Sequence, residues 1–416
     1  MNRRRQKRLL TGAAAAAAVL VLAIAAWFAI PGLHTRGPVF LHTWPGRAST
    51  GYTASRLTVT SLVSGADALL GSDGVWQAWQ RLAGRSGTPP AVSSDMVGTD
   101  DQVLLMRRYV ESGNRIAFRE IFGYLRDKRT GTDGRLLGAD GAPADNRVAL
   151  DALRAMAEAY TAWGGKDVEK AIRSGSGALL VSGGSPGLPA DAALNLPGPS
   201  PTPGTLISPT PAAAASPNPA VTGIPVQTRP YILLAGLDLY TMKLLSSIDA
   251  RWVQVATSSL AVIQSAFLDE ILPLYRAGTD PATGTVIPYT GDKPVVDTLS
   301  SMMIILHLCE TGAQRAESVA WIRQCLYNDG AIYASYAIVS GEPFDRTENP
   351  ACYAVAARIA RILEDKELYG LATARLTWQI ADLRSSPAYG TVFRTTADGL
   401  VEVRAADNAW ALLGLD

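Results

Sequence analysis

The 416-residue chain has little of what builds metal centres or disulfide frameworks: three histidines and three cysteines, Cys309, Cys325 and Cys352. No Cys-x-x-Cys pair is present, which argues against a zinc site. Three cysteines cannot all pair with one another, and small buried thiols account for them as well as a bridge does. Charged residues make up only 18% of the chain and the net charge is +1, with much of the positive excess in the first eight residues. The remainder therefore carries no basic stripe, and nucleic acid is excluded as a partner. His307 sits inside the apolar run MMIILHLC and reads as a core histidine. No cofactor is called for.

What is present begins with MNRRRQKRLLTGAAAAAAVLVLAIAAWFAI. A basic tip, residues 1–8, precedes 22 uncharged residues from Leu9 to Ile30. About 20 apolar residues span a hydrocarbon core, and the basic cluster stays on the cytoplasmic side. A cleaved signal peptide has a shorter apolar core, of about 7–15 residues, and a small-residue cleavage site. Pro-Gly-Leu-His follows Ile30 instead. The expectation is a single-pass signal-anchor over 9–30, a linker over 31–53, and an exported domain over 54–416.

Residues 196–220 read LPGPSPTPGTLISPTPAAAASPNPA, uncharged and rich in Pro, Ser, Thr and Ala. Such a stretch buries too little apolar surface to offset its ordering entropy. A disordered insertion over about 185–224 is expected.

The rest reads as helices, with apolar residues three and four apart. They fall at about 54–70, 74–84, 100–112, 115–128, 147–163, 166–173, 236–246, 249–268, 297–311, 313–327, 350–363, 366–384 and 406–414. Short strand-like runs fall at 178–182, 332–339, 391–395 and 400–404, the last two forming a hairpin. No fixed-period repeat appears, which favours a closed double ring of helices over a solenoid. The fold class is all-α, with a few short strands.

Thr99-Asp100-Asp101-Gln102 has the form of a capping box opening a helix. The helix dipole then favours Asp100 in the first turn. In NRVALDALRAMAEAYTAW (146–163), Asp151 falls on the apolar stripe of Val148, Ala152, Ala155 and Ala159. A carboxylate there needs a partner or a cavity. A buried structural Asp and a site carboxylate fit the pattern equally well.

Together these segments resemble glycoside hydrolase families 8 and 126. TDDQVLLM (99–106), then ESGNRIAF and REIFGYLRDK (111–128), are similar to a catalytic-acid segment of the form SEGQGYGM with its following aromatic helix. Gln102, Met106, Gly113 and Phe118 match in register. NRVALDALRAMAEA resembles the Asp-bearing helix A-x-D-x-L-x-x-A. PYILLAGLDLYTMKLLSSIDARW (230–252) resembles a segment of the type YFDLYAL followed by D-x-x-W. ENPACYAVAARIA and the closing YGTVF…AADNAWALLGL are similar to the end of that fold.

The resemblance implies an (α/α)6 barrel and inverting hydrolysis of a glucan-type polysaccharide by two carboxylates. Asp100 is the implied acid and Asp151 the implied base or sugar-binding carboxylate. Asp238, Tyr240, Tyr389 and Asp407 are the implied substrate-binding residues, and a monomer at the outer membrane face is expected. Asp100 stands where the family has Glu, one methylene longer, and Val103-Leu104 replaces Gly-Tyr. A catalytically degenerate glycan-binding protein on the same barrel, and a helical-repeat interaction protein, stay open as alternatives.

Overall fold

The computed structural model describes residues 38, 40, 43–47, 51–52, 54–67, 69–70, 79–82, 97–180, 188–196, 227–289, 293–386, 388–395 and 401–415. Twelve α-helices lie among them: α1 (Arg56–Asp67), α2 (Thr99–Glu111), α3 (Arg115–Lys128), α4 (Asn146–Trp163), α5 (Lys166–Leu179), α6 (Leu239–Leu245), α7 (Arg251–Ser265), α8 (Thr298–Thr311), α9 (Ala316–Gln324), α10 (Pro350–Ile362), α11 (Lys366–Trp378) and α12 (Ala405–Leu415). The even-numbered helices pack in the closed order α2–α4–α6–α8–α10–α12 and back to α2. Of the odd-numbered helices, α3, α5, α7, α11 and α1 pack outside α2, α4, α6, α10 and α12. This is an (α/α)6 barrel.

Burial follows from composition. The inner helices α8, α10 and α12 are apolar nearly all round and almost entirely buried. The outer helices bury one stripe, as in α3, where Phe118, Ile121, Phe122 and Leu125 recur three and four apart. Alanines 351, 354, 356, 357 and 360 let α10 approach its neighbours closely. A Cβ added to Gly414 of α12 would sit 2.8 Å from the Ala354 Cα, so only glycine lets the ring close there.

The strands are short and lie in the connections. A three-stranded sheet pairs β1 (Trp79–Leu82), β10 (Val401–Arg404) and β9 (Arg394–Thr395). A second joins β2 (Ala192–Leu196), β3 (Gln227–Leu233), β4 (Gly278–Thr279) and β5 (Val286–Ile287). A third joins β6 (Val295–Asp297), β7 (Tyr333–Ala337) and β8 (Pro343–Glu348).

Four expectations change. Of the helix expected over 74–84, the described part is strand β1, antiparallel to β10 from Trp79↔Arg404 to Leu82↔Val401, so tertiary pairing overrides the local pattern. The strand expected at 178–182 begins inside α5, which runs on to Leu179 because Ile172, Ser176 and Leu179 continue its buried stripe. The insertion begins later than 185, since 192–196 pair with 227–231 as β2 and β3. Residues 197–224 lie outside the described residues. The expected linker also reaches into the barrel: Phe40, Trp44 and Tyr52 are buried in the core. The anchor over 9–30 and the tip over 1–8 lie outside the described residues. No helix among the described residues is long and apolar enough to cross a membrane. Cys309, Cys325 and Cys352 are free and buried.

Trp44 closes one end of the barrel. Its Nε1–H donates to Glu310 Oε1 at 2.7 Å, and the Arg358 guanidinium lies 4.2 Å from its ring centroid. Replacing Trp44 with alanine is expected to cost about 3 kcal/mol or more through lost packing. Phenylalanine should cost only about 1 kcal/mol for the missing hydrogen bond. Urea denaturation of both variants measures the difference.

Candidate functional site

The inner helices share one direction, and side chains at their ends show it. At their starts, the Ala406 N–H of α12 is bonded to Asp101 of α2. Arg394 joins Asp407 of α12 to Asn349, the cap of α10. Asp191 accepts from the Asn146 N–H of α4 at 2.6 Å and from the Leu233 N–H just ahead of α6 at 2.7 Å. At the other end, Arg358 binds Glu111 near the end of α2 and the Leu413 carbonyl of α12. The starts of α2, α4, α10 and α12 therefore open on one mouth, where the macrodipoles favour negative charge.

Acidic and amide side chains cap four of the inner helices. Asp145, Asp238, Asp297 and Asn349 each accept from a backbone N–H in the first turn of α4, α6, α8 and α10. The start of α2 differs. Thr99 is its first residue rather than its cap. Its hydroxyl donates to the Leu137 carbonyl at 2.8 Å, and Gly98 caps without a side chain. An added Cβ at Gly98 would collide with Oδ2 of Asp101 and Oδ1 of Asp100. The two neighbouring carboxyls thus crowd one point.

Asp100 is half-buried and Asp101 buried. Burial, reinforced by the Asp100 charge, pushes the Asp101 carboxyl up to about 8 against the opposing Ala406 N–H and Arg147. Asp101 therefore keeps its proton at neutral pH. That combination suits a proton donor. The sequence pattern favoured Asp100 alone, because burial by α12, some 300 residues later, leaves no trace near position 101.

The other expected site residues are placed as follows. Asp151 lies five residues into α4, roughly 7.5 Å below its start. It is 2% exposed and accepts from Arg107 Nη1 at 2.5 Å. Asp407 is buried in a two-point pair with Arg394, at 2.6 and 2.5 Å. Asp238 caps α6, accepting from the Thr241 N–H at 2.9 Å and from the Thr241 hydroxyl at 2.5 Å. Tyr240 is buried, and the Arg154 guanidinium lies 4.6 Å from its ring centroid. Tyr389 stands on the turn before α12, 36% exposed. Of the four implied sugar contacts, Tyr389 alone presents an open face.

Beneath the mouth lies a charged interior that sequence reading missed. Arg154 donates to Glu310 at 2.7 Å, to Glu158 at 3.2 Å and to Asp238 at 3.4 Å. His307 faces Glu310 with Nδ1 at 3.4 Å and the Ala235 carbonyl with Nε2 at 3.3 Å. Burial lowers its basicity, but the Asp238 and Glu310 charges win and raise it. Burial likewise opposes ionisation of Glu310, yet Arg154 and His307 hold it well below the usual carboxylate range. Glu111 is brought down to about 2 by Arg358 despite its burial. Asp238, His307 and Glu310 have potential ligand atoms within 4.8 Å of one another, but Arg154 already supplies the cation they share.

Twelve helices in two concentric rings, with carboxyls gathered at the N-terminal mouth, define the (α/α)6 fold of the family 8 type. No family model matches the sequence, and no curated protein does. Among solved structures the chain is similar to an alpha-amylase from Clostridium perfringens, with a TM-score of 0.68 and 21% identity, over 86% of this chain and 96% of that one. It is similar to PssZ from Listeria monocytogenes, with a TM-score of 0.56 and 13% identity, over 91% and 97% of the two chains. It is also similar to endoglucanase Cel10, a family 8 glycosyl hydrolase from Klebsiella pneumoniae, at 0.51 and 14%, over 77% and 97%. These likenesses establish the fold.

Two outcomes test this geometry. The Asp101 carboxyl is raised by folding, so the stability it contributes is present at low pH. That stability is lost as pH climbs from about 4 toward 8. Asp101→Asn should flatten that part of the stability profile and be more stable than the parent at its alkaline end, by thermal melting across pH. Asp151→Asn should cost about 3–5 kcal/mol, because it leaves the Arg107 guanidinium buried without its counter-charge; chemical denaturation reads this directly.

Proposed function

We propose that the chain is an extracytoplasmic glycoside hydrolase-like protein, held at the membrane by residues 9–30, that cleaves a glucan-type polysaccharide. The observation that carries this reading is the Asp100–Asp101 pair at the start of α2, in the mouth of a family 8-type barrel. Asp101 keeps its proton near neutrality and hands it to the departing glycosidic oxygen, with half-buried Asp100, the acid implied by the resemblance, beside it. In an inverting reaction a second carboxylate takes a proton from water on the opposite face of the sugar. Asp151 is the second carboxylate of the resemblance. To act as that base it must exchange its bond to Arg107 for one to water. Tyr389 offers an exposed ring for stacking against a sugar.

A second reading is favoured by one observation. Asp151 and Asp407 are both locked in ion pairs, so the barrel can bind a glycan without hydrolysing it. Release of reducing ends from a panel of α- and β-glucans, with calorimetric binding on the same polymers, separates the two. Hydrolysis predicts turnover that falls by about 10²–10⁴ in Asp100→Asn and Asp101→Asn while binding persists. Binding without turnover selects the second reading, and turnover untouched by either substitution sinks the assignment of the acid. Membrane flotation of the full chain tests the anchor, and light scattering the expected monomer.

A further inference from the structure

A sizeable cavity in the described part of the barrel lies away from the mouth. It is a slot of about 380 Å³ between outer helices α3 and α5. Its floor is Met106 of α2 with Ala152, Leu153 and Met156 of α4, and its walls include Leu125 and Leu179. Interiors are otherwise packed with few voids larger than a water, and an apolar cavity of this kind stays dry and accepts apolar ligands.

The roof is the loop 130–136, whose polar backbone is satisfied without the slot. Gly131 N–H donates to the Arg135 carbonyl at 2.8 Å, and Gly134 N–H to the Gly131 carbonyl at 3.0 Å. Arg129 pins the loop from behind, donating to the carbonyls of Val97, Gly138 and Ala139. The slot is therefore lined by carbon and held open by an independently bonded loop.

Its rim is basic. Arg126, Arg135, Lys170 and Asp167 border the opening. Asp167 is already paired with Arg119 at 2.6 Å, and Arg126 with Asp127 at 2.7 Å. Arg135 has a looser partner, Asp133, at 3.6 Å. Lys170 is exposed and makes no ion pair among the described residues. Lys170 is the unpaired charge among these rim residues, and a cation at the lip of an apolar slot complements a hydrocarbon chain ending in an anionic group.

We propose that this slot binds a single-chain anionic amphiphile, a long-chain fatty acid, with its chain under the 130–136 loop and its carboxylate at Lys170 and Arg135. The volume holds about a dozen methylene groups, each close to a water's share of about 30 Å³, which fits one chain and not two. The slot lies outside the carboxylate mouth, so this inference does not depend on the proposed hydrolysis.

Titration of the full chain with dodecanoate, dodecanol and phosphatidylglycerol vesicles, followed by calorimetry, tests it. Saturable, equimolar dodecanoate binding is expected. Lys170→Glu and Arg135→Glu, both on the rim, should each weaken dodecanoate binding about tenfold, which is about 1.4 kcal/mol, and leave dodecanol binding unchanged. Ala152→Phe, which fills the floor, should abolish binding of both. If that variant does not fold, Ala171→Leu on the half-buried wall serves the same purpose. No saturable dodecanoate binding by the folded parent overturns the proposal. So does binding that survives both the rim and the filling substitutions, or binding of the vesicles in preference to the single-chain acid.

Discussion

Arg154 is the interaction on which the rest of the barrel depends. Its guanidinium, wholly buried on α4, binds Asp238 at the head of α6 and Glu310 on α8. It thereby ties three of the six inner helices at a point where no backbone bonding can. A buried ion pair gives little net stability over a well-packed apolar one, yet losing one member leaves an uncompensated charge. The network is best understood as a device for register. Helix ridges can slide past one another with small energetic change, whereas a guanidinium shared by three carboxylates cannot. Glu111 with Arg358 repeats the device between α2 and α10.

The two ends of the barrel are chemically unlike. The mouth gathers aspartates at aligned helix N-termini, where dipoles and free N–H groups favour negative charge. The base pairs its acids with arginines and is closed by an indole. Asp101 belongs to the mouth by position but not by charge. The N–H it accepts from does not outweigh its desolvation and its acidic neighbour. A carboxyl held protonated at neutral pH by burial is the kind of group that can serve as a proton donor.

Much of the barrel was legible in the sequence, because inner and outer helices alike carry an apolar period of three to four residues and end at glycine or a polar cap. The span read as 147–163 is α4, and 350–363 is α10, each within a residue or so. Short elements were less legible. Trp79–Leu82 is a strand because it pairs with Val401–Arg404 more than 300 residues away, and no local window contains that partner, whereas the local pairing of 400–404 with 391–395 was legible. The same limit applies to the site. Asp151 was recognisable as a carboxylate on an apolar stripe, but the chain does not announce that Arg107 faces it. Asp101 looked like a lesser neighbour of Asp100 because its burial is contributed by α12. The basic partners were missed throughout: an arginine two turns into an apolar helix reads as an interruption until its acid is seen.

Trp44 and Phe40 give the molecule a polarity along its axis. Both are inserted at the closed base, near Glu310, Arg358 and Tyr160, on the side opposite the starts of α2, α4, α10 and α12. The N-terminal segment therefore joins the barrel from behind. The described chain thus begins at the base, and the mouth points the other way. Fusion or immobilisation through the N-terminus would present the open face, not the plugged one, to the surrounding medium.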